Sequence, residues 1–347
     1  MSFPLELQNR SLAEVIIEAS ICLAMNFISI VGNVLVCLAV YKNPKLRSTT
    51  NLYIIALAAS DLLCATVEMP LASALLITGS WNFGVAVCQV LGFVDGFVAY
   101  STPATMGLLA FNRYIRIVKT NHYNTVFSPL KSKVWLSCVW LSLALYLLSS
   151  RLTNWSTFEF IPGYAVCGVV FTTTKSRVTH YCVVFDLFFV LPLSIGLFSY
   201  YKIFLKTRQH KVDVAPSLQN SRNQAGRTSV QEINMSRTLT YVGGGFLLCW
   251  ILMWAFSFWK RFSPDTAPRT VQLAAQFLLY LSSTINPFIY AFRHSVFREE
   301  FLKLLCWWKV SRTSEAVSSE SRKGSCGVKT PETATRNPGN KVIETVA

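Results

Sequence analysis

The chain has 347 residues, of which 52% are hydrophobic and only 14% are charged, and its formal net charge is +15. So few charged residues cannot cover the surface of a soluble domain of this length, and the composition indicates a membrane protein. The excess of positive charge does not indicate nucleic-acid binding, because the basic residues gather beside long apolar stretches, where they set membrane topology.

Seven apolar stretches follow one another, and each is long enough to cross a bilayer as a helix. They cover residues 16–40, 52–77, 86–118, 133–152, 180–206, 235–260 and 269–292. The sequence therefore predicts an all-α membrane protein, a seven-transmembrane helix bundle. Residues 1–15 are predicted to be an N-terminal tail, 16–308 the membrane domain with a short amphipathic helix at 294–308, and 309–347 a disordered tail.

Lysine and arginine residues are unevenly divided between the two sets of loops. The side with the C-terminal tail carries Lys42, Lys45, Arg47, Arg116, Lys119, Lys131, Lys133, Lys202, Lys206, Arg208 and Lys211. The positive-inside rule places this side in the cytoplasm, facing anionic membrane lipids, and the N-terminus outside the plasma membrane. Two Asn-X-Ser sequons on the outer side, at Asn9 and Asn154, are then candidates for glycosylation.

Most of the ten cysteines lie inside apolar stretches, where a reduced thiol packs as a small apolar group. Cys88 opens the third stretch and Cys167 lies in the long outer loop between the fourth and fifth, so both are expected on the oxidising side, as a disulfide or as two free thiols. Cys306 follows an amphipathic segment and is a candidate for palmitoylation.

Few ionisable residues interrupt the apolar stretches, and each is a candidate for function because charge in hydrocarbon is costly. The candidates are Asp61, Asp95, Arg113 and Asp186. Asp95 and Arg113 lie about five turns apart on one helix, so they share a face. We expect both to point into the bundle, one near each mouth.

A series of short motifs occurs in order along the seven stretches. They are Gly32-Asn33-Val34, Leu57-Ala58-Ala59-Ser60-Asp61, Asn112-Arg113-Tyr114, Trp140, Pro192 with Tyr200, Phe246 with Cys249-Trp250, and Asn286-Pro287-Phe288-Ile289-Tyr290. Over about residues 15–308 the chain resembles the rhodopsin-like (class A) G-protein-coupled receptors. That resemblance implies a small extracellular ligand in the outer half of the bundle, a heterotrimeric G protein, arrestin and receptor kinases as partners, and no enzymatic activity.

The resemblance also assigns roles to individual residues. It implies a disulfide between Cys88 and Cys167. It implies a polar cluster, able to hold an allosteric sodium ion, formed by Asn33, Asp61, Thr102, Ser282, Ser283 and Asn286. A purely structural polar network is the alternative. Activation is expected to involve Asn112, Arg113, Tyr114, Tyr200, Glu232, Phe246, Trp250, Asn286, Pro287 and Tyr290.

Three positions depart from the family pattern. Asn112 replaces the usual carboxylate before Arg113, which leaves Glu232 as the expected acidic partner and predicts raised basal signalling. Leu252 replaces a kink-forming proline, and the glycines 243–245 are either a displaced hinge or a site of close packing. Tyr280 replaces the lysine that binds retinal in opsins, which leaves only a non-covalent retinal photoreceptor as a remote alternative.

The ligand is predicted to contact Asp95, Ala99, Phe185, Phe188, Trp250, Trp254, Gln276 and Tyr280. Asp95 and Tyr280 resemble the amine-binding pair of biogenic amine receptors, and no lysine or arginine in the outer half of the spans would neutralise Asp95. An aspartate that is structural is the alternative. The segments 88–93, 112–114, 123–128 and 163–167 instead resemble the melatonin receptors, whose ligand is neutral. The sequence therefore predicts a receptor for a melatonin-like indole or a biogenic amine.

Other classes of function fit the sequence less well. A receptor for an unrelated small molecule or peptide is the main alternative. A transporter would show internal repeats and broken helices, and a channel would show a filter segment. The four histidines are scattered and form no catalytic cluster, and His180 is interpreted as a surface residue.

Overall fold

The computed structural model describes residues 7–214, 243–259 and 268–316, without the side chains of 210–214, 293 and 306–316. Helix packing described below lies within the first of two compact units, Met1–Leu302, and the second unit is Lys303–Ala347. Glu232 and most of the C-terminal tail lie outside the described residues.

Seven helices lie where the apolar stretches predict them. Their bounds are Leu12–Lys42 (α1), Thr49–Thr78 (α2), Gly84–Val118 (α3), Pro129–Leu152 (α4), Thr174–Val214 (α5), Gly243–Trp259 (α6) and Arg269–Arg293 (α7). By length and composition, α1 to α5 can each cross a membrane, and the described part of α6 is a shorter apolar helix. An eighth helix, Ser295–Ala316 (α8), covers and extends the predicted segment 294–308.

Local sequence explains several helix ends. Ser11 caps α1 and exchanges hydrogen bonds with Glu14 in a capping box, which satisfies backbone groups that a helix start leaves open. Ser128 caps α4, and Pro129 occupies the first turn, where its missing N–H costs nothing. Gly79 ends α2 with a φ of 71°, a conformation that glycine adopts without strain.

Two of the helices contain wide, π-helical turns. In α2 the segment Cys64–Glu68 is π-helical and ends two residues before Pro70, whose ring and missing N–H disturb the regular ladder. In α5 the longer segment His180–Val190 is π-helical. A π-turn changes the direction in which the following side chains point, and such turns are frequent at functional sites.

A β-hairpin lies between α4 and α5. Its strands, Ser156–Ile161 (β1) and Val166–Phe171 (β2), pair antiparallel, with Phe160 opposite Cys167. The Cys88–Cys167 disulfide joins β2 to the start of α3, with 5.4 Å between the two Cα atoms. This confirms the predicted pairing, whereas the strands themselves were not predicted. We call the end of the bundle that carries β1 and β2 the hairpin end, and the opposite end the Arg113 end.

Close backbone approach fixes the helix packing at three glycines. A Cβ added to Gly32 would lie 2.7 Å from Pro287, so α1 and α7 meet there without space for a side chain. The same construction at Gly107 reaches Pro192 at 2.7 Å, and at Gly92 it reaches Phe158 of β1 at 2.6 Å. α3 is therefore clamped between α5 and the hairpin, and its acidic and basic residues are held in place.

Candidate functional site

Glu68 is a buried acidic residue that the sequence analysis did not single out. Its side chain has no exposed surface, and it lies at the end of the π-helical turn in α2. The amide of Gln276 donates a hydrogen bond to Glu68 Oε1 at 2.6 Å, and the Cys64 thiol donates to Oε2 at 3.6 Å. Neutral donors therefore orient both carboxyl oxygens.

Three of the predicted ligand residues meet at Glu68. The carboxyl group of Asp95 lies within hydrogen-bonding reach of Glu68 and of Gln276. The Tyr280 hydroxyl lies beside Glu68 and is buried without a hydrogen-bond partner. Asp95, Gln276 and Tyr280 come from α3 and α7, so with Glu68 they form a polar cluster between α2, α3 and α7. We call these four residues the acidic pocket.

The hairpin covers the acidic pocket. A Cβ added to Gly168 of β2 would lie 3.5 Å from Asp95 Oδ2, and one added to Gly163 would collide with Gln272 of α7. Tyr164, in the hairpin turn, lies beside Ser257 of α6, and burial raises the pKa of Tyr164. The hairpin thus reaches from the disulfide at α3 across to α6 and α7.

No lysine or arginine side chain within the described residues contacts either carboxyl group of the acidic pocket. The arginines nearest the hairpin end pair with other residues. Arg10 and Arg269 both form ion pairs with Glu18 of α1. Arg151 donates to the side chain of Gln89 at 2.8 Å. Two carboxyl groups in contact therefore have only neutral neighbours in this part of the chain.

Aromatic residues of α5 and α6 form a second cluster. The ring of Phe185 lies 4.5 Å from that of Trp254, and Phe189 lies 6.0 Å from Trp250 and 5.3 Å from Trp254. The indole N–H groups of both tryptophans are buried without a hydrogen-bond partner. Phe185 and Phe189 thus lie beside the two tryptophans, and both tryptophans carry donors that a ligand could engage.

Two other predicted ligand residues belong to an apolar cluster that Phe185 and Trp254 also contact. Phe188 is buried in an apolar cluster with Tyr100, Leu143 and Leu147, and Ala99 packs against that cluster. Phe189, which was not predicted, contacts both tryptophans.

His180 is buried, so its interpretation as a surface residue is wrong. Its exposed fraction is 4%, and it lies between two tyrosines. The Tyr100 hydroxyl is 2.7 Å from Nε2 and the Tyr146 hydroxyl is 2.7 Å from Nδ1. The imidazole thereby ties α3, α4 and α5 together near the hairpin end.

A second polar cluster lies deeper in the bundle, around Asp61. The side-chain amide of Asn286 donates to Asp61 Oδ2 at 3.0 Å, and Ser283 lies close to the same carboxyl group. The amide of Asn33 donates to the Ser283 carbonyl at 3.1 Å. Asn33 Oδ1, Asp61 Oδ1 and Asn286 Oδ1 are buried without a hydrogen-bond partner. Three unsatisfied oxygens on three helices suit a hard cation.

The remaining two residues of the predicted sodium cluster make other contacts. The hydroxyl of Thr102 lies 3.0 Å from that of Ser60, and the hydroxyl of Ser282 donates to the Leu279 carbonyl at 2.7 Å. Both residues are buried. Thr102 therefore links α3 to α2, whereas Ser282 bonds within α7.

At the Arg113 end, Asn112 is engaged away from Arg113. Its carbonyl accepts from Thr50 at 2.8 Å and its amide donates to the Tyr123 hydroxyl at 3.3 Å. Arg113 is buried, with an exposed fraction of 2%. Burial and the positive charge of Arg113 lower the pKa of His294, which follows α7, to about 4. The expected partner Glu232 lies outside the described residues.

Other predicted activation residues form aromatic contacts. Tyr114 lies 5.5 Å from Phe198, Tyr290 stacks on Phe297 at 5.6 Å, and Phe246 stacks on Trp250 at 5.1 Å. The hydroxyls of Tyr200 and Tyr290 are buried without a hydrogen-bond partner. Pro287 lies against Gly32, as described above.

Of the three glycines in α6, only Gly243 is closely packed. A Cβ added there would lie 2.8 Å from the Tyr200 ring, whereas one added to Gly244 has no neighbour within 4 Å. At Gly245 the nearest atom is 3.7 Å away. Close packing therefore explains Gly243, and the structure gives no packing reason for Gly244.

The predicted modification sites are Asn9, Asn154 and Cys306. Asn9 and Asn154 are exposed at the hairpin end. Cys306 lies within α8, and its side chain is not described.

Comparison with known proteins gives consistent results. Residues 32–290 match the family model "7 transmembrane receptor (rhodopsin family)". The mouse melatonin receptor type 1A is 26% identical over 80% of this chain and 77% of its own length. The human histamine H2 receptor is 29% identical over 85% and 80%. The Xenopus laevis high-affinity lysophosphatidic acid receptor is 28% identical over 83% and 81%. Squid rhodopsin shares the fold, with a TM-score of 0.74, 22% identity and coverage of 90% of this chain and 93% of its own.

Proposed function

Because the chain belongs to the rhodopsin family of seven-transmembrane receptors, we propose that its ligand is a small protonated amine that binds Asp95. The chain is a multi-pass membrane receptor that binds a ligand and activates a heterotrimeric G protein. The chemical class of the ligand, an amine, is the part of this function that we propose. We place the hairpin end outside the cell, as the positive-inside rule predicts.

The observation that carries the proposal is the pairing of Asp95 with Glu68. Two carboxyl groups in contact resist double ionisation, and no cationic side chain within the described residues offsets them. A ligand ammonium would supply the missing positive charge through a charge-assisted hydrogen bond. Asp95 is the carboxyl that a ligand would meet, because it is half-buried whereas Glu68 is fully buried.

The aromatic cluster favours an amine whose ammonium group is attached to an aromatic or aliphatic group. Phe185, Phe189, Trp250 and Trp254 lie on α5 and α6, and aromatic faces attract both apolar groups and cations. The histamine H2 receptor, named for an amine, is among the similar proteins.

A neutral indole is the second candidate. It is favoured by the similarity to melatonin receptor type 1A and by the unpaired indole N–H groups of Trp250 and Trp254, which could bind a neutral acceptor. A neutral ligand would leave Asp95 in a structural role. The two candidates therefore differ in their dependence on the charge of this one side chain.

Signalling is proposed to follow a two-state scheme. The ligand favours the arrangement in which α6 moves away from Arg113, and it can shift the population only by its difference in affinity for the two states. Nucleotide exchange then occurs on the G protein. Arrestin and receptor kinases are proposed to act on the Arg113 side, and glycans to be attached at Asn9 and Asn154.

An allosteric sodium ion is proposed at Asp61. The residues that would hold it are Asn33, Asp61 and Asn286, whose unpaired oxygens are the donor type that a hard cation prefers. Bound there, the ion would supply positive charge to a buried carboxylate.

Raised basal signalling is proposed from the position of Asn112. Its side chain bonds to Thr50 and Tyr123, so it supplies no counter-charge to Arg113. Glu232 would then be the acid that restrains Arg113. Replacing Glu232 with alanine should raise basal G-protein activation in cells, and unchanged basal activity would contradict this proposal.

The proposed ligand is tested by G-protein activation in cells that express the full chain. Biogenic amines and melatonin-like indoles are applied to the wild type and to Asp95→Asn, with surface expression measured in parallel. An amine response that Asp95→Asn abolishes supports the proposal. A response to a neutral indole that survives this substitution favours the second candidate.

A further inference from the structure

We propose that Glu68 and Asp95 together bind one ligand that carries two cationic nitrogen groups, such as a short linear diamine. This inference rests on the proposed function, because it assumes an amine at Asp95. It adds a second charged contact, Glu68, and it specifies the chemical class of the ligand.

The first step is the balance of charge in the acidic pocket. One ammonium group neutralises one carboxylate, and the second carboxyl group must then keep a proton or remain uncompensated in a buried site. Gln276 and Cys64 orient Glu68 but carry no charge. A ligand with two ammonium groups ionises and neutralises both carboxyl groups, so the pocket discriminates between one cationic group and two.

The hydroxyl of Tyr280 is a second buried polar group at this site. The Tyr280 hydroxyl lies within reach of Glu68 and Gln276, its residue has no exposed surface, and it forms no well-aligned hydrogen bond with either. A buried hydroxyl without a partner costs free energy. An ammonium group bound at Glu68 could donate to this oxygen, and a contact of that kind would satisfy Tyr280 and Glu68 together.

The third step concerns the shape of the ligand. Glu68 is closed in by Cys64, Gln276 and Tyr280, whereas Asp95 retains exposed surface beneath Gly168. Because Asp95 is the more exposed of the two acids, we expect a ligand group to reach Glu68 past Asp95, and the close packing around Glu68 favours a narrow chain. An unbranched aliphatic chain fits that requirement, and its two nitrogens would be separated by about three to five carbon atoms if each makes a normal charge-assisted contact.

A carboxyl pair that shares one proton and has a purely structural role is the competing explanation. It predicts that a second positive charge on the ligand brings no advantage. The matched comparison is therefore between monoamines and diamines of equal chain length.

The experiment measures G-protein activation by linear monoamines and diamines of three, four and five carbons, in cells expressing the full chain. Melting of the purified full-length receptor with the same amines detects binding without activation. We expect the best diamine to be about 100-fold more potent than its matched monoamine. Glu68→Gln should remove this advantage, so that the diamine is no more than about threefold more potent than its matched monoamine on that variant.

The control variant is Asp186→Asn. Asp186 is an acidic residue of α5 that is exposed and lies outside the acidic pocket, so its substitution should change neither response. If Glu68→Gln fails to reach the cell surface, Glu68→Asp keeps the charge and shortens the side chain by one methylene. That variant should shift the preferred diamine to a longer chain.

Two outcomes overturn the inference in distinguishable ways. Equal potency of matched monoamines and diamines on the wild type, or an equal effect of Glu68→Gln on both, removes the two-cation site and leaves the amine proposal intact. The absence of any amine effect on activation or melting, together with a response to a neutral indole, removes the proposed function as well.

Discussion

Two buried acidic residues of α2, Asp61 and Glu68, lie about two helical turns apart but differ in the charge of their neighbours. Asp61 accepts a hydrogen bond from the Asn286 amide and has Ser283 close by. Glu68 also accepts from an amide, that of Gln276, but its other neighbour is the carboxyl group of Asp95.

This difference suggests an internal role for Asp61 and a role in ligand recognition for Glu68. Around Asp61 the surroundings are oxygen-rich and neutral, and a small ion is enough to complete them. Around Glu68 a second acid adds negative charge that no described side chain offsets. Under the proposed function, the deeper acid would hold a regulatory ion, whereas the pair under the hairpin would select the charge of the ligand.

The largest effect is expected from removing the disulfide, which should affect only the hairpin end. Replacing Cys88 and Cys167 with serine should lower the free energy of unfolding by about 2–5 kcal/mol, because β2 loses its covalent tie to α3. Thermal unfolding of the purified receptor measures this change. Amine potency should fall, while the response to sodium persists. Loss of the sodium response together with unchanged amine potency would contradict this division.

The next largest effect is expected from Asp95→Asn. Asparagine keeps the size of the side chain but removes the charge that an ammonium needs, so amine potency should fall about 100-fold. Concentration–response curves for G-protein activation, corrected for surface expression, give the value. A change below about threefold would mean that Asp95 does not contact the amine.

A smaller effect on signalling is expected from a substitution in α6, which leaves both Asp61 and the acidic pocket unchanged. Gly243→Ala places a Cβ 2.8 Å from the Tyr200 ring and should reduce maximal G-protein activation, roughly tenfold, by displacing that ring. Ligand binding should persist. Gly244→Ala is the matched control because nothing lies within 4 Å of its Cβ. Equal loss of signalling in both variants would instead support a hinge that needs all three glycines.

The smallest effect on potency is expected from Asp61→Asn. Ligand potency should stay within about threefold of the wild type, because Asp61 lies in the deeper polar cluster and not in the acidic pocket. Sodium should no longer change agonist binding. Titration of sodium in a binding assay on membranes tests this, and a sodium effect that survives the substitution would place the ion elsewhere.

Length and apolarity were sufficient to predict the helices. The predicted span 86–118 corresponds to Gly84–Val118, and the predicted span 269–292 to Arg269–Arg293. The pairing of Cys88 with Cys167 was also predicted correctly, from resemblance. The strands β1 and β2 were missed, because a short outer loop segment has no apolar alternation strong enough to distinguish a hairpin from a coil.

The errors within the site have a common physical origin. Both π-helical segments change the phase of a helix, and a 3.6-residue period cannot anticipate them. His180, at the start of the π-helical segment of α5, is buried where a surface position was predicted, and Phe189 of the same segment contacts both tryptophans although it was not predicted. Glu68 was detectable, since a second acid lies about two turns beyond Asp61 in one apolar stretch.

The hairpin that covers the acidic pocket should also govern the timing of the response. Gly163 abuts Gln272, Tyr164 lies beside Ser257, and Gly168 lies over Asp95, so we expect a ligand to reach and leave the carboxyl pair past this partial cover. Association then becomes slower than diffusion allows, and dissociation slows with it. We expect a long-lived complex in which signalling continues after the free ligand has been washed away.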